Sequence, residues 1–276
     1  SFSQGKPLGE YLWGNPQFTT MEFPHLHISI DQRIATVTMD RPKALNALNK
    51  EVISALHAAI EWLDAEDAVR VVILTGAGEK SFVAGADIAE FASFDAKQGQ
   101  DLSATGHQLL FDRVAAAKKP YIAAINGFAL GGGLELAMAC HVRIAAETAR
   151  LGLPETSLGL IPGYGGTQRL VQLVGKGRAM EMMLSASMID AATAESYGLV
   201  NQVVSPEELL PAANAMAGTF MKNSGQAHKA VIEAVNAATE GGAGFTSEQA
   251  LFGACFATED FIEGTSAFLE KRKPRF

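Results

Sequence analysis

One run, "YIAAINGFALGGGLELAMAC" from Tyr121 to Cys140, constrains the fold more than any other part of the chain. It is almost wholly apolar and carries a single formal charge, Glu135. A membrane span needs about 20 continuous apolar residues, and Asn126, the glycines and Glu135 interrupt this run too often for one. The remaining home for it is the interior of a packed domain, with "YIAAING" as a buried strand and a helix starting at the glycine triplet.

The flanking sequence repeats that alternation. "LHISI" and "IATVTM" alternate with period two and are joined by the polar "DQR", which predicts a strand pair, and "VRVVILTG" reads as a fully buried strand. Between them Val52, Leu56, Ala59, Ile60 and Leu63 stand at helical spacing, which predicts a helix over 51–63 capped by Asn49. A further helix is expected over 101–117, and "HVRIAA" reads as another strand. From Pro206 onward only helical patterns remain. The expected organisation is an α/β core over 21–205 that holds the active site, then a helical region over 206–276. Residues 1–20, ahead of Met21, show no apolar periodicity and are read as an N-terminal extension without a functional role.

Hydrophobic residues make up 48% and charged residues 19%, so disorder is excluded as a reading. Thirty acidic against 22 basic residues leave a net charge of −8, which disfavours a nucleic-acid partner, since phosphate contacts need clustered Lys and Arg. The two cysteines, Cys140 and Cys255, lie far apart without a thiol or histidine partner pattern. No metal site or disulfide framework is expected, and a reducing compartment, the cytoplasm, fits best.

Glu135 has a counterpart. From Leu151 through Gln168, "LGLPETSLGLIPGYGGTQ", the only formal charge is Glu155. A carboxylate without a partner is costly to bury, and desolvation raises its pKa toward the range useful for proton transfer. Either Glu alone is read more simply as a cap, Glu135 near a helix start and Glu155 after Pro154 in a turn. Two glycine-bearing segments tip the balance: "AGAD" at 84–87 and "GGG" at 131–133 both precede expected helices and expose backbone N–H groups. Such donors can converge on an oxygen that becomes negative during reaction. "GFALGG" misses the dinucleotide-binding spacing and no Walker lysine follows either cluster. Ser81, Ser157 and Cys140 lack the setting of an activated nucleophile.

"SFVAGADI", "INGFALGGGLELAMACHVRIA" and "LGLPETSLGLIPGYGGTQRL" closely resemble the enoyl-CoA hydratases of the crotonase superfamily, and the likeness runs from about Phe23 to the C-terminus. The resemblance implies a crotonase-like spiral of β-β-α units with a C-terminal helical trimerisation region, assembled as a homotrimer or a dimer of trimers. It implies an acyl-CoA thioester as substrate, CoA being part of that substrate, and no separate cofactor. By the same resemblance the amides of Ala86 and Gly132 form the oxyanion hole, and Glu135 and Glu155 are the acid–base pair. Substrate contacts would come from Lys43, Ala44 and Leu45 in the "RPKALNAL" loop, from Ala84, Asp87 and Ile88, and from Phe252 and Lys271, the last two in some members across a subunit boundary. The implied reaction is reversible hydration of a trans-2-enoyl-CoA to a 3-hydroxyacyl-CoA, as in fatty-acid β-oxidation. An isomerase using Glu155 alone and a non-catalytic acyl-CoA- or RNA-binding relative stay open as alternatives. Three positions depart from the family pattern: His141 stands where Asp is frequent, Leu153 where some members are polar, and Tyr164 where many carry a small residue. Leu153 and Tyr164 are candidates for lining the acyl pocket or for packing the turn around Glu155.

Overall fold

The computed structural model describes residues 22–238 and 243–276, so the extension expected at residues 1–20 lies outside the described residues. The alternating segments pair as an antiparallel hairpin, β1 (Leu26–Asp31) and β2 (Ile34–Met39). A 3-10 turn at Pro42–Ala44 leads to α1 (Lys50–Ala65), whose first turn is capped by Asn49 Oδ1 accepting the Val52 amide.

The chain then coils. The first turn holds β3 (Val71–Gly76), β4 (Ser81–Val83) and α2 (Ala96–Gly106), which continues through a π-helical turn at His107–Phe111 into α3 (Asp112–Ala115). The second holds β5 (Tyr121–Ile125), β6 (Phe128–Leu130) and α4 (Gly132–Ala139). The third holds β7 (Val142–Ala146), β8 (Arg150–Gly152), α5 (Gly166–Val174) and α6 (Lys176–Ser185). After β9 (Met188–Asp190), α7 (Ala191–Ser196) and β10 (Gln202–Val204) come four helices: α8 (Leu209–Phe220), α9 (Gly225–Ala237), α10 (Gly244–Cys255) and α11 (Glu259–Leu269).

Each turn of the coil sends its first strand to one sheet and its second to another. The larger sheet runs β1-β2-β3-β5-β7-β10, parallel from β2 onward, and the smaller runs β4-β6-β8-β9 with its first three strands parallel. This is the expected spiral of β-β-α units. β3 is buried on both faces because Val72 and Leu74 enter the main core while Val71 and Ile73 enter a second one. Leu209, Ala213 and Ala217, one stripe of α8 at four-residue spacing, cover that second face.

Three local expectations need correction. The helix expected over 101–117 begins at Ala96, where Asp95 and Gln98 form a reciprocal capping box, and it is interrupted by the π turn. "AGAD" is followed by a short 3-10 turn, Ile88–Glu90, rather than by a helix. The smaller sheet was not anticipated, because its strands are three residues each and too short to display an alternation.

Candidate active site

The smaller sheet builds the site. The chain leaving β4 is Ala84–Ala86, the chain leaving β6 is Gly131 with the start of α4, and the chain leaving β8 carries Leu153–Glu155. Three parallel neighbours therefore deliver all four candidate groups from their carboxyl ends to one edge.

Gly131 and Gly133 make the close approach possible. Gly131 has φ +50°, and a Cβ there would lie 2.7 Å from Glu155 Oε1. A Cβ on Gly133 would meet the backbone of Val83, so α4 can pack against β4 only with glycine at this position. Gly132 opens α4, where an amide has no intrahelical acceptor. Leu48 pairs around Ala86, donating to Gly85 O at 2.9 Å and accepting from the Asp87 amide at 2.7 Å. Among the described residues no hydrogen bond engages the Ala86 amide itself. A Cβ built on Gly132 would stand 3.7 Å from Ala86 N, so the two unengaged amides are neighbours.

Glu135 lies on the first turn of α4 and is 1% exposed. Its Oε1 accepts the amides of Tyr164 at 2.7 Å and Gly166 at 2.8 Å. Gly166 is the first residue of α5, so the carboxylate does cap a helix, though α5 rather than its own. Burial pushes the Glu135 carboxyl up to about 7; the Gly166 and Tyr164 amides pull it down, the charge of Glu155 raises it and Arg169 lowers it. Desolvation thus outweighs the cap, so the carboxylate both caps α5 and is raised toward the range useful for proton transfer.

Glu155 starts a 3-10 turn, Glu155–Leu158, fixed by Thr156 Oγ1 on Met183 O at 2.7 Å and Ser157 Oγ on Pro154 O at 2.7 Å. Its Oε2 is buried without a hydrogen-bond partner among the described residues, and burial raises its carboxyl above the usual range, against a smaller lowering by its own backbone amide. Glu135 and Glu155 line the same cavity of about 510 Å³, together with Ala84, Ala86, Gly131 and Gly132. The walls are otherwise mostly apolar, with Leu130, Leu158, Leu160, Ile161 and Tyr164 among them.

The expected contact residues divide. Ala84 and Ile88 line the cavity, and Ile88 is exposed at its mouth. Asp87 lies beside it, its carboxylate 3.3 Å from Arg41 Nη2. Lys43, Ala44 and Leu45 lie outside the wall, but their loop is tied to it, since Leu45 O accepts the Ala84 amide at 3.1 Å and Ser81 Oγ at 2.8 Å. Phe252 and Lys271 do not reach the cavity: both stand exposed in the C-terminal helical region. Leu153 is buried in the core and Tyr164 lines the cavity, so only the second fits the acyl-pocket reading. His141 lies elsewhere, its Nδ1 accepting the Tyr121 amide at 2.8 Å and its Nε2 3.3 Å from Ala115 O.

Sequence reasoning missed the amides of Tyr164 and Gly166, and it missed Arg169. The Arg169 guanidinium binds Tyr164 O at 3.0 Å and Asp112 at 2.8 Å, holding the segment that holds Glu135. The only sequence signal for this clamp is the glycine pair before "TQRL".

Residues 29–276 match a family model described as enoyl-CoA hydratase/isomerase. The chain is 45% identical over 258 residues to crotonyl-CoA hydratase from Syntrophomonas wolfei, covering 93% of this chain and 99% of that protein. It is 44% identical over 255 residues to short-chain-enoyl-CoA hydratase from Clostridium acetobutylicum, covering 92% and 97%. A crystal structure of an enoyl-CoA hydratase subunit I from Geobacillus kaustophilus superposes with a TM-score of 0.87 at 41% identity, covering 93% of this chain and 99% of that one.

Proposed function

Because the chain belongs to the enoyl-CoA hydratase/isomerase family, we propose that it is an enoyl-CoA hydratase, a lyase that adds water reversibly across the double bond of a trans-2-enoyl-CoA. One observation carries the mechanism: the buried Glu135 carboxyl, the half-buried Glu155 carboxyl whose Oε2 is enclosed without a partner among the described residues, and two unengaged amides face a single, mostly apolar cavity.

The thioester carbonyl accepts the amides of Ala86 and Gly132. Attack of water at Cβ pushes electrons through the C=C bond onto that oxygen, and each donor contributes roughly 3 kcal/mol where such donors have been removed from other enzymes. Glu135 receives a proton from the attacking water, with Oε1 pinned by the two amides and Oε2 left for the water. Glu155 gives its proton to Cα as the enolate collapses. One O–H bond and the C=C π bond break, one Cβ–O and one Cα–H bond form, and the proton on Glu135 returns to Glu155 through solvent. The electron sink is the substrate's own carbonyl, so the reaction calls for neither metal nor redox cofactor. Coupling between the two carboxyls makes their titration a property of the pair.

The wider reading has three parts. The enzyme works in fatty-acid β-oxidation or related acyl-CoA breakdown. It works in the cytoplasm, a reading supported by two unpaired cysteines and by the absence, among the described residues, of any helix long and apolar enough to cross a membrane. It assembles as a trimer or a dimer of trimers: Val231, Val235, Phe245, Phe252, Ile262 and Phe268 on α9–α11 are all more than half exposed, an apolar surface suited to copies of this chain. Such an assembly gives Phe252 and Lys271 a neighbouring cavity to reach.

Incubation with crotonyl-CoA in ¹⁸O-labelled water tests the reaction. Mass spectrometry is expected to find one labelled oxygen in a 3-hydroxybutyryl-CoA product. Conversion of a 3-enoyl thioester to the 2-enoyl isomer without label, and no hydration, would place the chain with the isomerases.

A further inference from the structure

The geometry points to Tyr164 as the wall that limits acyl length: its ring separates the reacting cavity from a second compartment, so the enzyme takes short 2-enoyl thioesters. This inference rests on the hydratase reading and adds its substrate class.

The second compartment, about 500 Å³, lies between α1 and α2 and is nearly as large as the first. Leu48, Ile53, Gly106 and Leu109 line its inner part, while Lys50, Glu90, Gln98 and Asp101 stand among its other walls. Neither Glu135, Glu155 nor Gly132 touches it. The two cavities share five lining residues: Ala86, Phe91, Phe94, Leu102 and Tyr164. Of these Tyr164 is the buried one, 7% exposed, while Phe94 is 41% exposed on the turn before α2.

The ring is held from several sides. It stacks on Phe111 with centroids 4.5 Å apart and planes 9° from parallel. A Cβ on Gly106 would run into its edge, so glycine at the end of α2 is what lets the ring sit there. Its backbone is fixed at both polar atoms, the amide on Glu135 and the carbonyl on Arg169. A Cβ on Gly132 would lie 3.6 Å from Tyr164 Cδ2, which brings the ring close to the amide that receives the thioester oxygen. An acyl chain anchored at that amide with Cβ between the carboxyls therefore has a rigid aromatic plate beside it. Phe91, Phe94 and Leu102 complete a partition that Tyr164 anchors.

Removing the ring joins the two spaces into one channel whose inner walls, Leu48, Ile53, Leu102 and Leu109, are apolar. Each methylene then gains a buried environment worth about fourfold in binding, so even two newly accommodated methylenes are worth roughly tenfold in kcat/KM. Thr105 is exposed on α2 and lines only the second compartment, which makes it a place to refill the space without touching the reacting groups.

The test measures kcat/KM for trans-2-enoyl-CoAs of four to twelve carbons. Wild type is expected to favour four carbons over ten by tenfold or more. Tyr164→Ala and the bulkier, fold-sparing Tyr164→Leu are expected to shift that ratio at least tenfold toward the longer chain. Tyr164→Phe should keep the wild-type ratio, and Thr105→Trp should cancel the shift when added to Tyr164→Leu. A wild-type profile flat across chain length, or one unmoved in Tyr164→Leu while crotonyl-CoA is still hydrated, overturns the partition and leaves the hydratase reading standing. Absence of turnover with every chain length overturns both.

Discussion

Gly133→Ala separates geometry from chemistry, because it alters no reacting group. A Cβ at residue 133 would sit 2.7 Å from the Val83 carbonyl carbon and 2.8 Å from Val83 Cβ, and closer still to the carbonyl oxygen. Carbon atoms in contact stand about 3.5–4.0 Å apart, so α4 must retreat from β4 by roughly 1 Å. That helix carries the Gly132 amide and the Glu135 carboxyl, while Ala86 stays on the chain leaving β4. The two amides proposed as oxyanion donors are therefore drawn apart and Glu135 is pulled against the Tyr164–Gly166 clamp. A misplacement of about 1 Å costs on the order of 10²-fold in rate, and overpacking of this kind costs about 1–3 kcal/mol in stability. Crotonyl-CoA hydration and thermal unfolding would be followed side by side. The expected outcome is a fall in kcat near a hundredfold with a Tm lowered by several degrees. Gly177→Ala, with open space around the new methyl on α6, serves as control and should match wild type. Wild-type turnover by Gly133→Ala would refute the claim that the β4–α4 contact sets the oxyanion geometry.

Three further outcomes follow from the charges. Glu135 is protonated in the fold up to about pH 7 and loses its proton near 4.5 when unfolded, so the fold holds the extra proton between those values and stability declines as pH rises through them. Glu135→Gln should therefore be the more stable protein at pH 8, by roughly 3 kcal/mol in denaturant unfolding, with the gap closing toward pH 4.5. Arg169→Ala removes the bonds to Tyr164 O and Asp112 and should lower kcat about ten- to a hundredfold with a smaller change in KM, as the segment holding Glu135 loosens. Burial pushes the His141 imidazole down to about 4, so its NMR signals should stay in the neutral form from pH 8 to pH 5.

Much of this was legible in the residues. β1, β2, β3, β5 and β7 announced themselves because each is five or six residues long with its burial written as alternation or an apolar run. Glu135 and Glu155 were legible because isolated charges in apolar sequence are rare and costly. The smaller sheet was not, yet it is the element that brings the groups together: "SFV", "FAL" and "RLG" gain their strand character only from pairing with one another. The partner of Glu135 was hidden for a related reason. Its clamp consists of backbone amides at Tyr164 and Gly166, which every sequence possesses and only the fold can aim. The glycine of "AGAD" pointed to exposed N–H groups correctly, while the helix expected after it was wrong because Asp87 leads into a single 3-10 turn. Phe252 and Lys271 stand exposed in the C-terminal helical region and do not line the cavity, so their expected contact has no support within the chain.

The decisive measurement is crotonyl-CoA hydration, followed as loss of the conjugated thioester absorbance, by wild type, Glu135→Gln, Glu155→Gln and the variant carrying both substitutions at pH 8. Wild type is expected to turn over, each single variant to lose at least a hundredfold in kcat, and the double variant to be scarcely slower than either single one, since the carboxyls act on one water and one carbon skeleton as a unit. Undiminished hydration by either single variant would contradict the two-carboxylate mechanism.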